Sequence, residues 1–343
     1  MSELEKQNCL ETLYQGHTLT RSQMAFLFGE IVQGQLTDIE LTAMLTALKL
    51  KGETVDELCG AVDASLAAAQ KFERDMNQPV IDIVGTGGDG HNTINISTTT
   101  AFVVAACGVK VAKHGNRSVS SKSGSSDLLA QLGVNIAMSA ATASQSLRDN
   151  GLCFLFAPSY HSGFKHAVNV RQQLKTRTLF NILGPLINPA RPEFMLLGVY
   201  TEQLIEPIAK VLLAIGVKRA MVVHGSGLDE VAIHGITQVA EINNGVISHY
   251  EISPTDFGLV SHSLSNIVGG APAENAAITQ AILQGKAIAA HTDAVIINAA
   301  CALYIAGKSD SLISAAQLAR ETIESALPYK KLLMLKNISQ EAV

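Results

Sequence analysis

Tryptophan is absent from the 343 residues, and aromatic side chains make up only 5% of them. A core must therefore be assembled from Ala, Val, Ile and Leu, as where helices pack on a parallel sheet. With 47% hydrophobic and 16% charged residues, the chain is too apolar for wholesale disorder. Cysteines number five (Cys9, Cys59, Cys107, Cys153 and Cys301), with no CxxC among them. Their odd count points to thiols in a reducing compartment. The ten histidines show neither HxH nor HExxH spacing, which argues against a zinc site. A GxSxG elbow and a Walker A loop are both missing. The longest apolar run, residues 294–306, is shorter than the roughly 20 residues that cross a bilayer. The polar, acidic opening MSELEKQNCLE is unlike a signal peptide. These absences lead us to expect a soluble cytoplasmic protein. A net charge of −5 speaks against a general nucleic-acid binder.

What is present divides at Pro79. Residues 1–75 read as helical throughout, with capping boxes at Thr37–Glu40 and Thr54–Glu57. The spacing predicts helices over 20–33, from 37 to about 50, and from 54 to about 72. Beyond Pro79, short apolar runs alternate with helical stretches. Strands are expected at 80–84, 109–113, 152–156, 195–200 and 220–224, and helices at 97–107, 125–132 and 201–215. A hairpin is expected over 236–251, turning at Asn243-Asn244-Gly245, and helices near 272–284, 293–306 and 310–326. The fold class implied is α/β. A small helical domain (1–75), joined by a helical segment near 165–188, precedes a large domain (76–343) with a mostly parallel central sheet.

The first feature with chemical content is VIDIVGTGGDG, residues 80–90. An apolar strand runs into four glycines in six residues, Gly85, Gly87, Gly88 and Gly90. Such a turn lets successive N–H groups form an anion nest, so a phosphate or pyrophosphate is the expected guest. Gly85, Gly87 and Gly90 also satisfy G-x-G-x-x-G. A dinucleotide site, however, needs a helix at the turn and an acid about 20 residues on for the ribose. No Asp or Glu occurs between Gly90 and Ser126, which disfavours a nicotinamide dehydrogenase.

Two acid-free stretches follow. KHGNRSVSSKSGSSD, residues 113–127, is hydroxyl-rich and cationic until its final aspartate, a composition suited to a polyanion. Residues 150–192 include Lys165, Arg171, Lys175, Arg177 and Arg191, any of which could clamp a carboxylate. Asp229 and Glu230 then follow the strand at 220–224. Hard Mg²⁺ takes one or two carboxylates plus phosphate oxygens and water, and the pair fits that pattern. Taken alone, the pair could equally be two surface acids.

GTGGDG (85–90), NIST (95–98), KHGNRSVSSKSGSSD (113–127), RTLFNILGPLINPA (177–190), LLGVY (196–200) and VVHGSGLDE (222–230) together resemble the anthranilate phosphoribosyltransferase family. The likeness spans essentially the whole chain. It implies a helical domain beside an α/β domain of nucleoside phosphorylase/phosphoribosyltransferase type, usually dimerised through the helices. It also implies transfer of phosphoribose from phosphoribosyl pyrophosphate to the amine of anthranilate, in tryptophan synthesis, with magnesium, two ions being expected. By the same resemblance, Gly85, Gly88, Asp89, Thr93, Asn95, Ile96, Ser97 and Thr98 would line the sugar-diphosphate site. Lys113, His114, Gly115, Asn116, Arg117, Ser118, Val119, Ser120 and Ser121, with Ser125, would wrap the phosphates. Gly85, Asn116, Arg171, His114 and Pro158 would surround anthranilate, with Arg171 facing its carboxylate. Ser97, Asp229 and Glu230 would bind metal, and no side chain is expected to act as a general acid or base. The sequence departs from the family pattern at Gly163, Phe164, Asn169 and Lys175, a place where glycine is common. A pyrimidine nucleoside phosphorylase and a non-catalytic nucleic-acid-binding relative are the alternatives. Neither a nucleic acid nor a membrane is an expected partner.

Overall fold

The computed structural model describes residues 3–117 and 122–341. The chain begins with helices α1 (Glu3–Tyr14), α2 (Arg21–Val32), α3 (Asp38–Lys51) and α4 (Val55–Ala68). Then come β1 (Val80–Gly85), α5 (Ile96–Ala106), β2 (Lys110–Gly115), α6 (Ser125–Gln131), α7 (Ala140–Asp149) and β3 (Leu152–Phe156). Short helical pieces follow: α8 (Ala157–Tyr160), a 3₁₀ turn (Ser162–Ala167), α9 (Val168–Leu174) and α10 (Phe180–Leu183). The second half of the sheet carries β4 (Phe194–Gly198), α11 (Ile205–Ala214), β5 (Arg219–Gly225), β6 (Thr237–Asn243) and β7 (Val246–Ile252). Helices α12 (Pro272–Leu283), α13 (Ala289–Ile305), α14 (Leu312–Glu324) and α15 (Leu327–Ser339) close the chain.

Local signals set the early helices. Thr20, Thr37 and Thr54 cap α2, α3 and α4, each in a reciprocal box with Gln23, Glu40 or Glu57. The helical expectation fails between Ala68 and Val80. There Arg74, on an irregular segment, donates to the carbonyls of Ala190 (2.8 Å) and Arg191 (3.1 Å) and pairs with Glu193 at 2.8 Å. Long-range bonds to the buried guanidinium replace helical ones. At the other end, α15 is an element that the helical periodicity did not reveal. Ala326 takes φ 55°, breaking what would otherwise run on as one helix.

The sheet runs β3-β2-β1-β4-β5-β6-β7, parallel through β5 and antiparallel through the last two pairings. The chain winds outward from β1 to β3, then returns to place β4 on the other side of β1. That reversal opens a crevice at the carboxyl ends of β1 and β4, where ligands sit in open α/β sheets. Asn244 and Gly245 take positive φ (49° and 84°) at the tip of the β6–β7 hairpin, as a tight primed turn requires.

Alternation along the strands feeds two cores. Leu196, Met221, Val223 and Val239 pack with α5 and the C-terminal helices. Met195, Leu197, Ala220, Val222 and Ile242 pack on the opposite side, in one cluster with α11 and helices α2–α4. Residues 162–187 join this second cluster through Ala167, Val170, Phe180 and Leu183. Among the described residues, no helix is long and apolar enough to cross a membrane.

Candidate active site

Three neighbouring strands end in glycine: Gly85 on β1, Gly198 on β4 and Gly225 on β5. A Cβ on Gly85 would strike the Asp229 carboxylate, one on Gly198 the Asp229 carbonyl, and one on Gly225 the Glu230 carbonyl. The glycines thus clear a shelf on which Asp229 and Glu230 lie across the strand ends. From there Asp229 Oδ2 accepts the Gly87 N–H at 2.6 Å. Glu230 Oε1 accepts the Ser97 N–H at 3.1 Å and also the Ser97 hydroxyl. Gly198 and Gly225 were not singled out from the sequence. Their role needs the register, in which Gly85 faces Gly198 directly.

Gly87, Gly88 and Gly90 have φ of 69°, 79° and 83°, the left-handed geometry of an anion nest. Asp89 Oδ1 accepts the His91 N–H at 3.0 Å. The three acids crowd one another. Burial first, then Glu230 and Asp89, hold the Asp229 carboxyl well above the usual carboxylate range. Burial pushes Glu230 up to about 7, against the opposing pull of its Ser97 hydrogen bond and of Lys113. Lys113, placed by the sequence among the phosphate ligands, is buried and turns into the sheet, donating to the Ile83 carbonyl at 2.6 Å. It sits between the fields of Glu230 and of fully buried Asp82, whose carboxyl burial pushes up to about 6. Asp82 accepts from the Asn188 amide at 2.7 Å and from the His114 N–H at 3.3 Å.

Helix α5 opens directly behind the glycine turn. Its first-turn residues Ile96, Ser97 and Thr98 stand at the end where the helix dipole favours anions; the Ile96 N–H is bonded to the Ile94 carbonyl (2.8 Å) and that of Ser97 to Glu230, while that of Thr98 has no such partner among the described residues. Asn95 occupies the cap position without capping. Its amide instead donates to the Ser123 carbonyl at 2.9 Å and accepts from Asn275 at 2.8 Å. Thr93 is bridged to Val268. Just past the end of β2, the Asn116 carbonyl receives the Ser125 hydroxyl (3.1 Å) and the Ser126 N–H (3.2 Å). Gly115 is pressed against Ser125 and Phe154. Arg117 is exposed and pairs with Asp127 at 3.4 Å. Ser118, Val119, Ser120 and Ser121 lie outside the described residues.

The opposite side is apolar and cationic. His114 is buried, its Nδ1 3.1 Å from the Gly184 carbonyl, and its Nε2 has no hydrogen-bond partner among the described residues. Burial, with His161 next, pushes its pKa down to about 3. The His161 ring stands edge-on at 5.4 Å, and Phe164, Phe28 and Phe180 continue the stack. Arg171 lies 5.0 Å above the Phe180 ring, and burial lowers its pKa. Among the described residues, no carboxylate forms an ion pair with it. Pro158 stands exposed on α8, beyond the end of β3.

Several departures from the family pattern have physical reasons. Gly163 backs onto the Val32 carbonyl, where a Cβ would collide. Phe164 belongs to the ring stack, and Asn169 donates to Asp38 at 2.5 Å, tying α9 to α3. Lys175 ends α9 with φ 47°, a left-handed position that glycine fills without strain. Arg177, one cation among several in the sequence, proves to bond the Gly88 carbonyl and to stack 3.8 Å over Tyr200.

Comparison with known proteins agrees with this architecture. A glycosyl transferase family, a/b domain, matches residues 77–327, and the helical bundle domain of the glycosyl transferase family matches residues 7–69. An anthranilate phosphoribosyltransferase of Shewanella baltica is 59% identical, covering 100% of this chain and 98% of its own. One from Shewanella frigidimarina is 60% identical, covering 97% of each. The Thermus thermophilus enzyme of that name superposes with a TM-score of 0.93 at 36% identity, covering 97% of this chain and 99% of its own. The Saccharomyces cerevisiae enzyme, solved in complex with PRPP and Mg, gives 0.90 at 28% identity, covering 98% of both chains.

Proposed function

The chain belongs to the anthranilate phosphoribosyltransferase family, and we propose that the crevice at the ends of β1, β4 and β5 is where it carries out that family's reaction. The amine of anthranilate attacks the anomeric carbon of phosphoribosyl pyrophosphate as the bond to pyrophosphate breaks. N-(5-phosphoribosyl)anthranilate and pyrophosphate are the products, a step of tryptophan biosynthesis. The observation that carries the siting is the acid shelf, where Asp229 and Glu230 lie beside both the glycine nest and the start of α5.

The donor set fits magnesium. Asp229, Glu230 and the Ser97 hydroxyl are hard oxygen donors, and the crowded carboxylates hold protons more tightly than usual, a strain that a divalent cation relieves. Among the described residues, no group of three or more His, Cys, Asp or Glu could hold a metal alone. Substrate phosphates and water would complete the sphere, as is usual for Mg²⁺. When bound, the metal supplies charge stabilisation for departing pyrophosphate. The relative solved with PRPP and Mg supports this reading; two ions remain our proposal.

The remaining roles belong to the chain itself. Gly85, Gly88, Asp89, Thr93 and residues 95–98 hold ribose and pyrophosphate, the nest and the α5 terminus meeting negative charge as it grows. Residues 113–121 with Ser125 enclose the phosphates, Lys113 acting by its field from beneath. Arg171, without an acid partner among the described residues, takes the anthranilate carboxylate, and Gly85, His114, Asn116 and Pro158 complete that subsite. An aromatic amine carries little proton at neutral pH, so orientation replaces a general base. Neutral His114 agrees with that chemistry.

The helical domain (1–75, with the segment near 165–188) is proposed as the dimerisation unit beside the catalytic domain (76–343). A groove of about 870 Å³ between α1 and α3 supports this, rimmed by Tyr14, Ile39 and Leu50, the last two each 82% exposed. A cytoplasmic location completes the reading. Anthranilate is fluorescent, and its phosphoribosyl product much less so. Loss of fluorescence that requires both magnesium and phosphoribosyl pyrophosphate is the expected result. No loss, with phosphorolysis of thymidine instead, would overturn it.

A further inference from the structure

We propose that Asn275 is a positioning residue for the sugar-diphosphate cradle, holding the Asn95 side chain off the start of α5 so that the Thr98 N–H stays open to the ligand. This rests on the assignment of residues 93–98 to that cradle. Asn275 sits near the start of α12, is only 2% exposed, and lies some 180 positions from its partner in the chain. Its amide nitrogen donates to Asn95 Oδ1 at 2.8 Å, while its Oδ1 accepts the Gly270 N–H at 2.8 Å. Asn95 Oδ1 also receives the Ser123 hydroxyl at 3.2 Å, and its nitrogen reaches the Ser123 carbonyl at 2.9 Å. One side chain from α12 thus links the cradle loop to the end of the basic loop.

The diversion matters because asparagine is among the best helix-capping residues. Left free at the cap position, Asn95 would turn its oxygen onto the Thr98 N–H at N3, the first-turn donor that Ile94 and Glu230 leave to an anion. Asn95 makes no such bond here. The surroundings fix Asn275 in turn. The Ile267 carbonyl accepts the Ile94 N–H at 3.0 Å, and the Gly269 N–H reaches the Asn92 carbonyl at 2.7 Å. A Cβ on Gly269 would collide with Asn275 and with the backbone at Thr93 and Ile94. Glu274 closes the turn by accepting the Ala271 N–H at 2.8 Å. One helical turn further on, Thr279 bonds Thr99 at 3.0 Å, a second rung between α12 and α5 that touches no cradle residue side chain.

The test compares Asn275→Ala, Asn95→Ala, their combination and Thr279→Val by steady-state kinetics and thermal melting. Asn275→Ala is expected to raise the KM for phosphoribosyl pyrophosphate about tenfold, the scale of one lost buried hydrogen bond, and to leave the anthranilate KM within about twofold. It should add nothing in the Asn95→Ala background, since both act through the same amide. Thr279→Val should lower Tm while leaving both KM values unchanged. A fall in Tm alone, or an equal rise in both KM values, would make Asn275 merely structural and overturn the proposal. If Ser97→Ala also leaves the sugar-diphosphate KM unchanged, the cradle assignment itself fails, and the proposal with it; if Ser97→Ala raises that KM while Asn275→Ala does not, the cradle stands and the proposal fails. Should Asn275→Ala not fold, Asn275→Asp keeps the shape and the acceptor for Gly270 but loses the donor, and the same pair of KM values decides.

Discussion

The acid-bearing side of the crevice is held by hydrogen bonds among its own members, whereas the side carrying Arg171 is held by ring packing and left with unmatched charge. Asp229 is bonded to Gly87, and Glu230 to Ser97, before any ligand arrives. Arg171 rests on Phe180 with no carboxylate paired to it among the described residues. The first side is organised for an ion and a polyphosphate that bring strong fields of their own. On the proposed reading, the second receives a flat aromatic acid whose ring would join the stack and whose carboxylate would meet Arg171. Preorganised polar groups suit developing charge, and a part-buried guanidinium suits binding.

Breaking the acid side should have the largest effect. Asp229→Asn is expected to lower kcat on the order of 100-fold and to raise the magnesium needed for half-maximal rate. Turnover unchanged across a magnesium titration would remove Asp229 from the metal site. On the other side, Arg171→Ala should raise the KM for anthranilate about 10- to 100-fold, the range for a charge-assisted hydrogen bond. An intact KM would mean that another cation meets the carboxylate.

The ring stack adds a pH signature. Burial pushes His161 down to about 4, so the folded state holds it neutral while the unfolded chain binds a proton below about 6.5. Stability from this group is full above pH 6.5 and is lost as pH falls toward 4, at about 1.4 kcal/mol per pH unit. His161→Gln should flatten the slope of unfolding free energy over that window by one proton's worth, as urea titrations at several pH values would show. An unaltered slope would mean that His161 is already charged when folded. The smallest effect concerns Lys175. Lys175→Gly should stabilise the fold by about 0.5–1 kcal/mol through relief of its left-handed backbone, read as a higher urea midpoint. A lower midpoint would show that the lysine side chain outweighs the strain.

The same contrast explains what the sequence could reveal. Helices α3 and α4 were legible because a capping box is written within four residues, and α2 because its apolar residues recur at helical spacing. The glycine turn was legible as an anion nest for the same reason. The DE pair could equally have been two surface acids. It becomes a shelf only when Gly85, Gly198 and Gly225 end adjacent strands, an alignment spread over about 140 residues. Gly269 and Asn275 left no local signal, because they reach the Asn92 carbonyl and the Asn95 amide. Lys113 read as a phosphate ligand only through the family resemblance. Only the pleat of β2 shows that its side chain points into the sheet.

The division of the crevice is tested most directly by measuring both KM values in Asp229→Asn and Arg171→Ala under one set of conditions. A crossed pattern is expected, in which Arg171→Ala moves the anthranilate KM and spares that for phosphoribosyl pyrophosphate, while Asp229→Asn spares the anthranilate KM and moves the magnesium-dependent terms. If Arg171→Ala raised both KM values by the same factor, the two sides of the crevice would not be separate subsites.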